Sequence, residues 1–100
     1  MGTDAPTGRP MRRAKIDQNQ SAIVEVLEKG GCLVQSLARM GDGVPDLLVQ
    51  GPRGKLALVE VKTAEGKPTQ AQEQFYGQGW KVYVVRDTRA AIAVVQELRR

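Results

Sequence analysis

Residues 46–62 read DLLVQGPRGKLALVEVK: two apolar runs broken by Gly51-Pro52-Arg53-Gly54. Gly and Pro punctuate a chain at turns, so this stretch is a β-hairpin with strands Asp46–Gln50 and Lys55–Lys62. Pro45 at its entry lacks only a donor that a strand end can spare. If Gly51 pairs with Lys55 across the turn, Asp46 stands opposite Glu60, with Cβ atoms about 4.5–5.5 Å apart. A slip of one residue would turn Asp46 to the other face. Glu60 and Lys62 are two residues apart and share a face, while Val59 and Val61 point to the opposite one.

The remaining elements frame this hairpin. Asp17–Lys29 reads as a helix, with Ile16, Ile23, Val24 and Leu27 at helical spacing, Asp17 as its N-cap and Gly30-Gly31 as its stop. Cys32–Leu37 is a short strand, and Arg39–Pro45 and Thr63–Pro68 are loops. Thr69–Gly77 is a second helix capped by Thr69, and Lys81–Arg86 is a strand rich in β-branched residues. A last helix runs from Thr88 to the C-terminus, with Ile92, Val95 and Leu98 as its core stripe. Phe75, Tyr76 and Trp80 suit a core or a subunit interface better than base stacking. The order α-β-β-β-α-β-α predicts an α/β fold, one mixed sheet flanked by helices. One hundred residues suffice for a single domain.

Composition limits the chemistry. There is no histidine and only one cysteine, Cys32. A Ser-His-Asp triad, a Cys-His pair, a disulfide framework and a cysteine or histidine zinc site are all excluded. The net charge of +4 is uneven: Arg9, Arg12, Arg13 and Lys15 stand against Asp4 within the first fifteen residues. Residues 1–13 are therefore expected to be a disordered basic N-terminal arm, suited to a polyanion such as nucleic acid; Met11 is itself a candidate start. No secretory segment follows, and no stretch approaches the roughly 20 apolar residues of a membrane-spanning helix. A cytoplasmic protein with a reduced cysteine is expected, with no membrane partner and no organic cofactor.

Two facing carboxylates in so apolar a setting repel each other and lose hydration. Lys62 offsets part of this. A hard divalent cation offsets more, since Mg2+ or Mn2+ takes oxygen ligands and keeps waters. The Val61 carbonyl is a further oxygen beside Glu60. Such a cation acidifies a water and neutralises phosphoryl charge, and Lys62 would orient that water or stabilise the transition state. The plainer alternative is a surface salt bridge.

GVPDLLV at 43–49 followed by LVEVK at 58–62, in this order of elements, resembles the PD-(D/E)xK nuclease superfamily and, more narrowly, the VRR-NUC domain of phages and bacteria. DQNQSAIVEVL at 17–27 resembles that domain's first helix, and PTQAQEQF at 68–75 resembles the helix after its lysine motif. The resemblance covers roughly residues 14–98, so a single nuclease domain over 14–100 is expected. It implies a restriction-endonuclease-like fold and a metal-dependent DNA endonuclease in a bacterial or phage-infected cell. Asp46, Glu60 and Lys62 would be its catalytic core, with the metal on Asp46, Glu60 and the Val61 carbonyl. It also implies a homodimer that cuts branched DNA such as Holliday junctions, since two symmetric cuts suit a twofold assembly. Where the superfamily often has an acid on the first helix, this chain has Gln20, and Glu25 lies more than a turn further on. Gln72 matches the family's glutamine. Both glutamines also fit capping boxes, Asp17-x-x-Gln20 and Thr69-x-x-Gln72. Arg12, Arg13, Arg39, Arg53, Lys55 and Lys67 are candidate DNA contacts, with solvated charges as the alternative. Two rival functions stand beside the resolvase: a DNA-binding module of this fold that has lost cleavage, and a nuclease acting on nicks, flaps or single strands.

Overall fold

In the structure, a computed structural model, the backbone is described for residues 10–100 and side chains from Asn19 onward. Expectations for residues 1–9, and for the side chains of Arg12 and Arg13, lie outside the described residues. The elements are α1 (Pro10–Lys29), β1 (Leu33–Ser36), β2 (Leu47–Gln50), β3 (Leu56–Val61), α2 (Gln70–Gly77), β4 (Val82–Val85) and α3 (Thr88–Leu98).

α1 begins seven residues before its expected cap. Proline is tolerated in the first helical turn, where its missing N–H has no partner to lose. Met11, Arg12, Arg13, Ala14 and Lys15 are all strong helix formers. The basic run is thus helical backbone from Pro10 on, and Asp17 lies inside the helix. The capping box expected for Asp17 and Gln20 is thereby corrected. α1 stops where expected: Cys32 N–H donates to the Leu27 carbonyl and Gly31 N–H to that of Glu28, with Gly31 at φ 93°. This is a Schellman ending, which requires a left-handed residue there.

The four strands lie in the order β1-β2-β3-β4. β1–β2 and β2–β3 are antiparallel, and β3–β4 is parallel through the α2 crossover. The hairpin register is the expected one: Gly51 N–H bonds to the Lys55 carbonyl at 2.8 Å, and Leu47 faces Val59. α1 and α3 cover one face of the sheet. Ile23 and Leu27 meet Leu47, Val49, Ala57, Val59 and Val85, with Ala91, Val94, Val95 and Leu98 closing the core. Burying these side chains supplies most of the driving force for the fold.

The expected stripe on α3 is shifted. Val95 and Leu98 are buried, but Ile92 is 49% exposed, and Ala91 and Val94 take the inward positions. Residues 91, 94, 95 and 98 follow the i, i+3, i+4, i+7 pattern of one helix face. Asp87 caps this helix, accepting from Ala90 N–H at 2.8 Å.

The opposite face of the sheet is largely open. Leu33 is 69% exposed and Leu56 64% exposed, with Val84 and Trp80 also in solvent. Phe75 and Trp80 stack on each other, ring centroids 5.4 Å apart. Among the described residues no helix is long and apolar enough to cross a membrane.

Candidate metal centre

Alternation along β3 turns Val59 toward the helices and Glu60 toward the other side. In the antiparallel hairpin the pairs 51–55, 49–57 and 47–59 occupy hydrogen-bonded positions, so the 46–60 pair continues the ladder at a non-bonded position, where facing side chains come closest. Pro45 is buried and ends the strand. Where the ladder would run on, the Asp46 carboxylate takes over: its Oδ2 accepts from Val61 N–H at 2.8 Å. The N–H and C=O of one extended residue leave a strand on the same side, so the Val61 carbonyl also points to the Asp46 edge. The Asp46 carbonyl accepts from Leu37 N–H at 2.7 Å, which fixes the backbone that carries the carboxylate.

Glu60 is 3% exposed. Its Oε2 accepts from Gln72 Nε2 at 2.9 Å and lies 3.8 Å from Lys62 Nζ. Its Oε1 is buried without any hydrogen-bond partner. Burial, reinforced by the Asp46 charge and offset in part by Lys62, raises the Glu60 carboxyl from 4.5 to about 7.

Lys62 Nζ donates to Gln72 Oε1 at 2.7 Å and to the Lys67 carbonyl at 3.3 Å. Gln72 therefore serves both neighbours, and only one orientation of its amide satisfies them. The same Oε1 accepts from Thr69 N–H at 2.9 Å, while Thr69 Oγ1 accepts from Gln72 N–H at 3.1 Å. The two readings of Gln72 coexist: it is the capping-box residue of α2 and the bridge between Glu60 and Lys62. Gly43, at φ 79°, lets the β1–β2 loop lie against the start of α2; a Cβ there would overlap the Ala71 carbonyl.

The other candidates are dispersed. Gln20 lines a shallow groove with Ser21, Val24, Glu25 and Glu28, and no hydrogen bond joins it to Asp46, Glu60 or Lys62 among the described residues. Among the described side chains of α1, its neighbour Asn19 reaches the site, with Nδ2 donating to the Lys62 carbonyl at 3.2 Å. Arg53 and Lys55 lie at the turn end of the hairpin, five residues along the strands from Asp46 and Glu60, or roughly 17 Å at about 3.3 Å per residue. Arg39 and Lys67 are exposed in the two loops that border the site. Two contributors carried no sequence signal of their own. Asn19 is a single polar group on a helix, and Arg86 follows β4. Arg86 Nη1 donates to the carbonyls of Thr63 at 2.7 Å and Gly66 at 2.8 Å, tethering the loop that leads to Lys67.

The donor set suits a hard cation. Two carboxylates and the Val61 carbonyl offer oxygen only, and the partnerless Glu60 Oε1 is a buried acceptor that such an ion would satisfy. Among the described residues no group of three or more His, Cys, Asp or Glu side chains converges.

An aspartate at the mouth of one strand and a Glu-x-Lys at the end of the next, on a mixed sheet flanked by helices, define a nuclease-type fold of the PD-(D/E)xK kind. A solved structure described as a VRR_NUC domain matches with a TM-score of 0.65 and 35% identity, over 82% of this chain and 95% of that one. The chain belongs to the VRR-NUC family, and hence to the PD-(D/E)xK nucleases. No protein-family model and no curated protein sequence matches it.

Proposed function

We propose that the protein is a Mg2+- or Mn2+-dependent DNA endonuclease that hydrolyses phosphodiester bonds and selects branched DNA such as Holliday junctions. It acts as a homodimer in the cytoplasm of a bacterial or phage-infected cell. The observation that carries the reading is the buried, partnerless Glu60 Oε1 beside Asp46, in a site that also holds Lys62. A buried carboxylate oxygen left without a partner is costly, and a bound cation would remove that cost.

Asp46, Glu60 and the Val61 carbonyl would hold the cation, which would lower the pKa of a bound water and neutralise phosphoryl charge. Asp46 keeps its carboxylate aimed through the Val61 N–H bond. Gln72 holds one Glu60 oxygen and leaves the other free. Two of the three Lys62 N–H bonds are taken by Gln72 and Lys67. The third, with the ammonium charge, supports the negative charge that builds on the phosphate oxygens. Arg39 and Lys67 would meet phosphates close to the cut. Arg53 and Lys55 would meet the substrate further away, and Arg12 and Arg13 are proposed DNA contacts on charge alone. The open apolar face around Leu33 and Leu56 supports the dimer, because exposed patches of this kind mark association surfaces.

A second reading has one observation in its favour: no third acidic side chain joins Asp46 and Glu60 among the described residues. A binding module that has lost cleavage would look like this. The test is an end-labelled four-way junction incubated with the protein and Mn2+, beside linear duplex, nicked, flapped and single-stranded controls. Paired symmetric cuts in the junction, with Lys62→Ala binding it equally but cutting at least 100-fold more slowly, are expected. Binding without nicking would favour the inert module, and equal cleavage of the linear duplex would remove the branch preference.

A further inference from the structure

Two buried side-chain atoms lack a hydrogen-bond partner among the described residues: Glu60 Oε1 and the Tyr76 hydroxyl. They differ in kind. An ionised carboxylate oxygen only accepts, whereas a phenol hydroxyl donates as well. They also belong to one neighbourhood. Tyr76 lies four residues after Gln72 on α2, so both side chains leave the same face of that helix. Gln72 donates directly to Glu60, and Tyr76 follows it one turn later on the same face of α2. Burial raises the Tyr76 phenol, and the charges of Glu60 and then Asp46 raise it further, in keeping with that placement.

A buried donor and a buried acceptor that share a site without touching are the usual setting of an internal water. Such a water needs two to four polar partners, and a bridging water serves nearly as well as a direct bond.

We propose that Tyr76 is a positioning residue of the cation site, its hydroxyl holding Glu60 Oε1 through one shared buried water. The inference rests on the metal-centre reading above. That water takes one lone pair of Glu60 Oε1 and leaves the other for the cation, so Tyr76 steadies the oxygen without displacing the ion. Glu60 would then be gripped on both oxygens by α2, directly by Gln72 and indirectly by Tyr76. Groups that orient a ligating carboxylate in this way typically change metal affinity by about 10- to 100-fold when removed.

Two measurements test it. The first is a high-resolution crystal structure of the cation-free wild type. An ordered water within hydrogen-bond distance of both Tyr76 Oη and Glu60 Oε1 is expected; a dry gap overturns the proposal. The second is calorimetric titration of Mg2+ and Mn2+ into the DNA-free protein, with thermal unfolding of each variant beside it. Tyr76→Phe should bind the ions at least tenfold more weakly while unfolding within about 8 °C of the wild-type temperature, since it loses only a water-mediated hydroxyl. Equal affinity in the two proteins overturns the role of Tyr76 and leaves the metal centre standing. A wild type that binds neither ion overturns the metal centre, and the Tyr76 role with it.

Discussion

Replacing Glu60 by glutamine should stabilise the cation-free protein while removing its activity. The Glu60 carboxyl is raised from 4.5 to about 7 by burial and by Asp46. The native state therefore holds this proton more tightly than the unfolded chain does. Below pH 4.5 both states are protonated and ionisation costs nothing. Between 4.5 and about 7 the unfolded chain releases its proton first, so stability falls with rising pH, and above about 7 the loss is complete. At 1.36 kcal/mol per pH unit, the loss is about 3 kcal/mol. Glu60→Gln keeps the shape and the bond from Gln72, and it carries no charge beside Asp46. Urea unfolding followed by the fluorescence of Trp80, with a chelator present, reads the effect. At pH 8 the variant should be more stable by about 3 kcal/mol, a midpoint shift of roughly 1–3 M urea. At pH 4 the two proteins should agree within about 0.5 kcal/mol. Mg2+ should restore the wild type at pH 8 and leave the variant unchanged. Parallel stability curves for the two proteins from pH 4 to 8 would refute the account of Glu60.

Gln72→Leu removes the acceptor of Lys62 and the donor to Glu60 but leaves Thr69 Oγ1 bonded to the backbone of α2. Stability should fall by about 1–3 kcal/mol, and single-turnover cleavage by about 10- to 100-fold. Gly41 and Gly43 both have positive φ, 64° and 79°, yet a Cβ on Gly41 meets nothing within 4 Å while one on Gly43 strikes the backbone of α2. Gly41→Ala should cost about 1 kcal/mol. Gly43→Ala should cost about 2–4 kcal/mol and speed amide exchange in Gln70–Gly77, which hydrogen-exchange mass spectrometry would show.

Much of the site is legible in the sequence because it rests on a local device. The Gly-Pro-Arg-Gly turn sets the pairing of Gly51 with Lys55, and the two-residue period of a strand then carries that register to Asp46 and Glu60. Helix faces are read less well. The three-residue spacing of Ile92, Val95 and Leu98 drifts around the helix, and the inward position belongs to Ala91, too small to stand out in the sequence. At the N-terminus, charge hid helix propensity: the same arginines and lysine that suggest a tail also favour α1. Asn19 and Arg86 reach the site through tertiary placement, and single polar residues on a helix or at a strand end give no periodic pattern to detect.

The double duty of Gln72 ties reactivity to local order. Its one carbonyl oxygen both closes the first turn of α2 and anchors the ammonium of Lys62. α2 is eight residues long and contributes no fully buried residue, so it belongs among the segments that open most easily. Each time that turn frays, the lysine loses its anchor and Glu60 its tether, and the site is briefly undone while the rest of the domain stays folded. A ligand that clasps α2 would therefore switch the centre on without touching either acid.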